Sequence, residues 1–163
     1  MVERALGEKL TKDELGGAQI HLRNGVVNNG AKDEADAFRQ MRTFLSYMPQ
    51  NIWELPPEGP RDDDPGRTEE SLLNIVPRDR RKPFNMRKVL GLIMDRDSFF
   101  EISPLYGRGQ ITGLARLDGQ PVGVLANDGR FYAGSMDADG AQKVRRFVEM
   151  CDAWSIPLVS FVD

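Results

Sequence analysis

One cysteine and one histidine in 163 residues leave little of the side-chain chemistry that proteins run at neutral pH. A lone thiol forms neither an internal disulfide nor a thiolate cluster. Cys151 falls on an apolar helical stripe, where a free cysteine packs rather than reacts. His21 is the only group whose ordinary pKa lies near neutrality. Long apolar runs are also missing. No stretch reaches the roughly 18 residues needed to cross a bilayer, and the first twenty residues are charged rather than signal-like, which predicts a soluble, cytoplasmic protein. There is no surplus of positive charge, since 22 Lys and Arg face 25 Asp and Glu for a formal net charge of −3. Nucleic acid and membrane are therefore not expected partners. The glycines Gly107-x-Gly109-x-x-x-Gly113 have the wrong spacing for a dinucleotide loop and lead into a strand. Asp62-Asp63-Asp64 lacks the spacing of a calcium loop, and Asp95 and Asp97 lack metal-ligand spacing, so both groups are expected to be solvated. No internal repeat of solenoid period occurs.

What is present suits one compact domain, which at this size buries roughly 70% of the surface of its unfolded chain. Ile111–Leu117 and Val122–Ala126 are apolar runs joined by Asp118-Gly119, a dipeptide suited to the positive φ angles of a two-residue hairpin turn. Asn127-Asp128-Gly129 ends the hairpin. Asp137 can cap a helix on which Ala141, Val144, Phe147, Val148, Cys151 and Trp154 recur at helical spacing. Pro157 then opens Leu158–Val162, a β-branched and aromatic run that predicts an interior strand, ending at Asp163.

Upstream, Thr11 and Glu14 form a capping box that Gly16-Gly17 stops quickly. Asp33 starts a helix with Phe38, Met41, Leu45 and Met48 expected to face inward and Arg39, Gln40 and Arg42 outward. Seven of the ten prolines lie between Pro49 and Pro83. That composition predicts an extended connector interrupted by a short helix, capped by Thr68, that carries Leu72, Leu73 and Ile75. Asn85 can cap the next helix, whose Met86, Val89, Leu90, Ile93 and Met94 follow an i, i+3, i+4, i+7, i+8 pattern. Helices alternating with buried strands point to a layered α/β fold.

Several blocks carry a family resemblance: G-x-A-R-x-x-G-x-P-V-G-V-x-A-N at Gly113–Asn127, F-x-A-G at Phe131–Gly134 and K-x-x-R-F-V-x-x-C-D-A-x-x-I-P-L-V at Lys143–Val159. Leu15-Gly16-Gly17, His21, Asn24-Gly25-Val26 and Leu45–Pro49 add to them, as do Val89, Ile93, Asp95, Phe99, Phe100 and Glu101. In these blocks the chain resembles the carboxyltransferase (beta) subunit of biotin-dependent acyl-CoA carboxylases of the propionyl-CoA and acetyl-CoA type. The resemblance implies an incomplete crotonase-like fold straddling two halves. Residues 1–49 would close the first half, 50–84 form a Pro-rich acidic linker, and 85–163 open the second.

It also implies a chemistry that needs few ionisable side chains. Backbone N–H groups hold a carbonyl on whose oxygen negative charge develops, and the base comes with biotin, carried by a separate carrier domain. The candidate substrate- or cofactor-proximal residues are Phe131, Ala133, Gly134, Asn127, Gly16, Gly17 and His21, with no side chain assigned a catalytic role and no metal. Ala133-Gly134 can present N–H groups at a helix start or simply permit a tight turn. Asn127 can face an acyl pocket or cap the turn. The expected partners are an acyl-CoA, the biotin carrier domain, and either further copies or the remainder of the subunit. The family's own glycine-rich loops are expected outside this chain, so the isolated chain is expected to be inactive and to self-associate. A biotin-dependent acyl-CoA decarboxylase and a non-catalytic scaffold of the same fold are the alternatives.

Overall fold

The computed structural model describes Gly7 and residues 9–79 and 81–162. Asp163, expected to end the last strand, lies outside them. Five α-helices occur among the described residues: α1 (Lys12–Gly16), α2 (Ala18–Arg23), α3 (Glu34–Leu45), α4 (Met86–Ile93) and α5 (Ala138–Ala153). Four strands, β1 (Phe100–Ile102), β2 (Gln110–Leu117), β3 (Gln120–Asn127) and β4 (Leu158–Phe161), form one sheet in the order β1-β2-β3-β4. The first three run antiparallel, and β4 lies parallel to β3 after the α5 crossover.

The β2–β3 hairpin forms where Asp118-Gly119 predicts it. Both residues are left-handed, with φ of 48° and 75°, as a turn matching the strand twist requires. Asp95 completes the turn: its carboxylate accepts the N–H groups of Asp118 at 3.0 Å and Gly119 at 2.8 Å. It is thus a turn cap rather than the solvated helix-end charge expected. Asp63 is likewise engaged, paired with Arg67 at 3.0 Å and accepting the Arg96 N–H at 3.0 Å.

Both faces of the hairpin are covered, so β2 reads as a continuous buried run from Gln110 to Arg116 rather than an alternating one. On one face Ile111 and Ala115 pair across strands with Ala126 and Val122 and pack under Met86, Leu90 and Met94. On the other, Leu114 meets Tyr47, Met48, Phe147, Cys151 and Ile156. A one-residue slip would exchange these two sets. Arg116 is buried on this second face. It donates to the carbonyls of Pro57 (3.0 Å), Gly119 (2.9 Å) and Ser46 (2.7 Å) and lies over the Tyr47 ring, tying the connector and the exit of α3 to the hairpin.

The caps at Thr11, Asp33 and Asp137 form as expected. Those at Asn85 and Thr68 do not. The Asn85 side chain makes no cap bond to α4, and the 3₁₀ turn Glu70–Asn74 is preceded by Glu69 with no side-chain cap. Its Leu73 faces solvent, as does Ala141 on α5.

Two larger expectations are overturned. Of the stripe expected to face inward from α3, Met48 is buried just past the helix end, but Phe38, Met41 and Leu45 are exposed, and the half-buried positions of the helix include Ala37, Gln40 and Phe44. Periodicity marks an apolar stripe without saying what covers it. Among the described residues β4 lies at the sheet edge rather than in its interior, paired with β3 on one side, and Leu158 and the following Val162 are exposed. No helix among the described residues is long and apolar enough to cross a membrane.

Candidate functional site

The parallel strands β3 and β4 end side by side, with Ala126 opposite Phe161. In α/β sheets, ligands bind in the crevice beyond such carboxyl ends. Here that crevice is a cleft of about 320 Å³ whose walls include Gln110, Asn127, Gly134, Met136, Ser160 and Phe161. The chain leaves β3 at Asn127, makes a compact turn and enters α5, whose N-terminus Asp137 caps by accepting the Gly140 N–H at 2.7 Å.

The turn is built from three successive left-handed residues, Tyr132 (φ 51°), Ala133 (φ 52°) and Gly134 (φ 76°). Each L-residue held so costs roughly 1–2 kcal/mol. Asn127-Asp128-Gly129 ends the hairpin as expected, with β3 stopping at Asn127 and a turn closed by the Phe131 N–H on the Asp128 carbonyl; the left-handed residues follow at 132–134. Gly134 serves two needs: it takes the largest φ, and a Cβ there would sit 3.2 Å from the Asn127 Cβ. Asn127 itself ends β3 with its side chain against the Gly134 backbone.

Hydrogen bonding separates the three candidate donors. The Phe131 N–H donates to the Asp128 carbonyl at 3.0 Å, and the Gly134 N–H to the Phe131 carbonyl at 2.9 Å. Among the described residues only the Ala133 N–H of the three makes no hydrogen bond. The tight-turn reading thus accounts for Phe131 and Gly134 and leaves Ala133 with a donor to offer, not into the cleft but beside a neighbouring cavity of about 430 Å³ that Ala133 lines with Pro77, Arg81, Phe84 and Gly129.

Both flanks of the turn are clamped by buried polar groups. Asp128, fully buried, accepts the Arg130 Nε at 2.9 Å and Nη2 at 2.8 Å, and a third guanidinium bond from Arg87. Arg87 grips Glu101 on β1 with two further bonds at 2.6 and 2.5 Å. Burial alone would raise the Asp128 pKa; the hydrogen bonds from Arg130 and Arg87 outweigh it and hold the carboxyl at about 2. At the other flank the Gln110 Nε2 donates to the Gly134 carbonyl at 3.1 Å, and the Arg108 guanidinium stacks 3.8 Å from the Phe131 ring. Gly109 lets the two turns touch, since a Cβ there would lie 2.7 Å from the Ser135 carbonyl oxygen.

Behind Gln110 stands Lys143, buried on α5, with its Nζ donating to the Gln110 carbonyl at 2.7 Å. Burial pushes its ammonium down to about 8, against the pull of the Glu101 carboxylate, with Arg87 adding to the fall. Sequence reasoning assigned no role to Lys143, Gln110, Arg87 or Asp128. For Lys143 a signal existed: it precedes Phe147 and Cys151 at i+4 and i+8, on the buried stripe. The bonds of Arg87 to Glu101 and Asp128 and of Gln110 to Gly134 join distant segments and left no local trace, whereas the Asp128–Arg130 pair lies two positions apart.

Gly16, Gly17 and His21 gather elsewhere, on α1 and α2. A Cβ on Gly16 would lie 3.1 Å from the His21 Nε2, and one on Gly17 would lie 2.7 Å from the Asp13 carbonyl oxygen. The His21 Nδ1 is buried with no hydrogen-bond partner among the described residues. This cluster reaches α5 through Gly25, whose carbonyl accepts from Arg146 at 2.9 Å, away from the turn. No group of three or more His, Cys, Asp or Glu that could hold a metal occurs among the described residues.

Comparison with known proteins accounts for this architecture. The chain is 40% identical over 164 residues to the carboxyltransferase subunit of propionyl-CoA carboxylase from Haloferax mediterranei, covering 100% of this chain and 32% of that protein. It is 37% identical over the same span to the alpha subunit of methylmalonyl-CoA decarboxylase from Veillonella parvula, with the same coverage. A solved structure of transcarboxylase 12S, described as a hexamer with hydrolysed methylmalonyl-coenzyme A bound, superposes with a TM-score of 0.94 at 33% identity over 99% of this chain and 32% of that one. The chain thus spans about a third of the length of the curated relatives it matches, and its α/β fold is crotonase-like. The carboxyl transferase domain matches residues 1–163 throughout, and the chain belongs to that family.

Proposed function

We propose that this chain supplies one wall of a site that moves a carboxyl group between carboxybiotin and an acyl-CoA, within a carboxyltransferase larger than the chain itself. The observation that carries the reading is the Ala133 N–H, held in a left-handed turn with no hydrogen-bond partner among the described residues. An unengaged backbone donor beside the N-terminus of α5 stabilises an oxygen on which negative charge develops. It does so without a side-chain acid, in keeping with a chain that has one histidine and one cysteine.

Biotin, brought by a separate carrier, would supply the carboxyl group and the base. The residues present fit its head group. The cleft is small, its Leu125 and Phe161 walls are apolar, and Asn127 and Ser160 offer polar contacts to an uncharged ureido ring. In this reading Ala133 donates to an oxygen from the neighbouring cavity that it lines with Gly129 and Phe84, while Asn127 and Gln110 fix the shape of the cleft and Leu125 and Phe161 keep water out of it. The exposed α3 stripe and the open edge of β4 take up the remainder of the subunit or a second copy. Residues 1–49 close one crotonase-like half and 85–163 open the next, joined by the connector at 50–84. A decarboxylase working on the same class of acyl-CoA is the second reading, favoured by the 37% identity to the Veillonella subunit.

The test is a chimera in which residues 1–163 replace the matching third of the Haloferax mediterranei subunit. Carboxylation of propionyl-CoA within about tenfold of the parent is expected. Gly134→Ala in the chimera should lower kcat by at least about tenfold with little change in KM, because a displaced oxyanion donor costs about 10²–10³ in rate. A chimera that assembles but transfers nothing would favour the scaffold alternative. Decarboxylation of methylmalonyl-CoA without net carboxylation would favour the second reading. An unchanged kcat in Gly134→Ala would remove the turn from the chemistry.

A further inference from the structure

We infer that Lys143 is a positioning residue for the Ala133 donor, acting through Gln110, an inference that rests on the carboxyltransferase reading above. The observations form a chain of contacts. The Lys143 Nζ, on the buried stripe of α5, donates to the Gln110 carbonyl at 2.7 Å. The Gln110 side chain donates to the Gly134 carbonyl at 3.1 Å. The Gln110 N–H is itself fixed on the Gly107 carbonyl at 3.0 Å. Lys143 and Gln110 are both buried, at 4% and 8% exposure, so neither bond is diluted by solvent.

A lysine at this place needs explaining. The neighbouring inward positions Phe147 and Cys151 are apolar, and a methionine would fill the Lys143 site without the cost of desolvating an ammonium. What the ammonium adds is a charge-assisted hydrogen bond to one particular carbonyl, that of the residue whose side chain holds the turn. The turn needs holding because two of its left-handed residues, Tyr132 and Ala133, carry side chains and relax if released. Asp128 with Arg87 and Arg130 fixes the leading flank; Lys143 with Gln110 fixes the trailing one, next to Ala133. The charged groups facing Lys143 are Glu101 on β1 and Arg87 on α4, with Arg146 of its own helix and Tyr106 on the wall of the same cavity of about 100 Å³.

The test uses Lys143→Met and Gln110→Met, singly and together, with two readouts. In the 163-residue chain, amide hydrogen exchange at Gly134 and Ser135, whose N–H groups bond within the turn, should speed up at least about fivefold in either variant, while exchange in the middle of α5 and the melting temperature stay unchanged or improve. In the chimera, kcat should fall about tenfold with KM for the acyl-CoA within about twofold. The double variant should be no worse than the more severe single one, because both act on one linkage. Faster exchange with an unchanged kcat, additive losses in the double variant, or a melting temperature that falls while turn exchange stays normal would each overturn the assignment. The exchange readout does not depend on activity, so loss of the clamp is told apart from failure of the carboxyltransferase reading, which would appear as a chimera inactive even with Lys143 and Gln110 intact.

Discussion

Replacing Asp128 by asparagine separates the electrostatic holding of the turn from its shape. The two side chains are nearly isosteric, yet the carboxylate accepts from Arg87 and twice from the Arg130 guanidinium at full burial. An amide offers one acceptor oxygen and turns an NH₂ group toward two guanidinium ions, placing donor against donor. The magnitude follows from linkage. With the carboxyl held at about 2 against an ordinary 3.8, the ionised form contributes about 2 kcal/mol of stability at neutral pH. Removing one partner of a buried pair adds the cost of the stranded charges, for a total of about 3 kcal/mol.

The sign is set by the direction of the shift. A depressed carboxyl pKa stabilises above the unfolded value near 3.8 and loses that contribution as pH falls through about 2. Urea unfolding followed by circular dichroism should therefore show Asp128→Asn less stable by about 3 kcal/mol at pH 7. The gap should narrow by about 2 kcal/mol between pH 4 and pH 2, where the original chain surrenders its advantage. A variant within about 1 kcal/mol of the original at pH 7, or one with the same acid limb, would refute the argument that these ion pairs stabilise the turn.

Arg116→Met should destabilise the chain by about 3 kcal/mol, since the carbonyls of Ser46, Pro57 and Gly119 lose a shared charged donor in a largely buried place. Limited proteolysis should then cut the 50–84 connector faster, and an unchanged cleavage rate would count against the staple. Cys151, with burial pushing its thiol up to about 12, should resist iodoacetamide in the native chain at pH 8 and react fully in guanidinium; rapid native alkylation would contradict its packing role.

The parts of the fold written in local chemistry were legible. Asp118-Gly119 specifies its hairpin, Asp137 caps α5, and the stripe through Phe147 and Cys151 faces the sheet, because each depends on residues a few positions apart. The misread parts depend on what lies opposite. α3 carries an apolar stripe as α4 does, yet Phe38, Met41 and Leu45 on it face solvent while Met86 and Leu90 on α4 pack on the sheet. The β4 run has interior composition and an edge position. At the site, the F-x-A-G block marked the turn correctly, but which N–H is left over could be known only once Phe131 and Gly134 had been seen to bond within it. The Arg87–Glu101–Asp128 grip joins residues up to 41 positions apart, beyond any spacing rule.

The two pairings of β3 differ in what the chain must do to make them. Against β2 it needs a two-residue turn; against β4 it must first close residues 128–157, helix included. Closing a loop some fifteen times longer costs about 2 kcal/mol more in entropy before any contact repays it. The cleft lies at the carboxyl end of that second pairing. Its assembly therefore waits for α5 to form and dock, so the part of the molecule with the most chemistry to offer becomes a surface only after the hairpin that supports it.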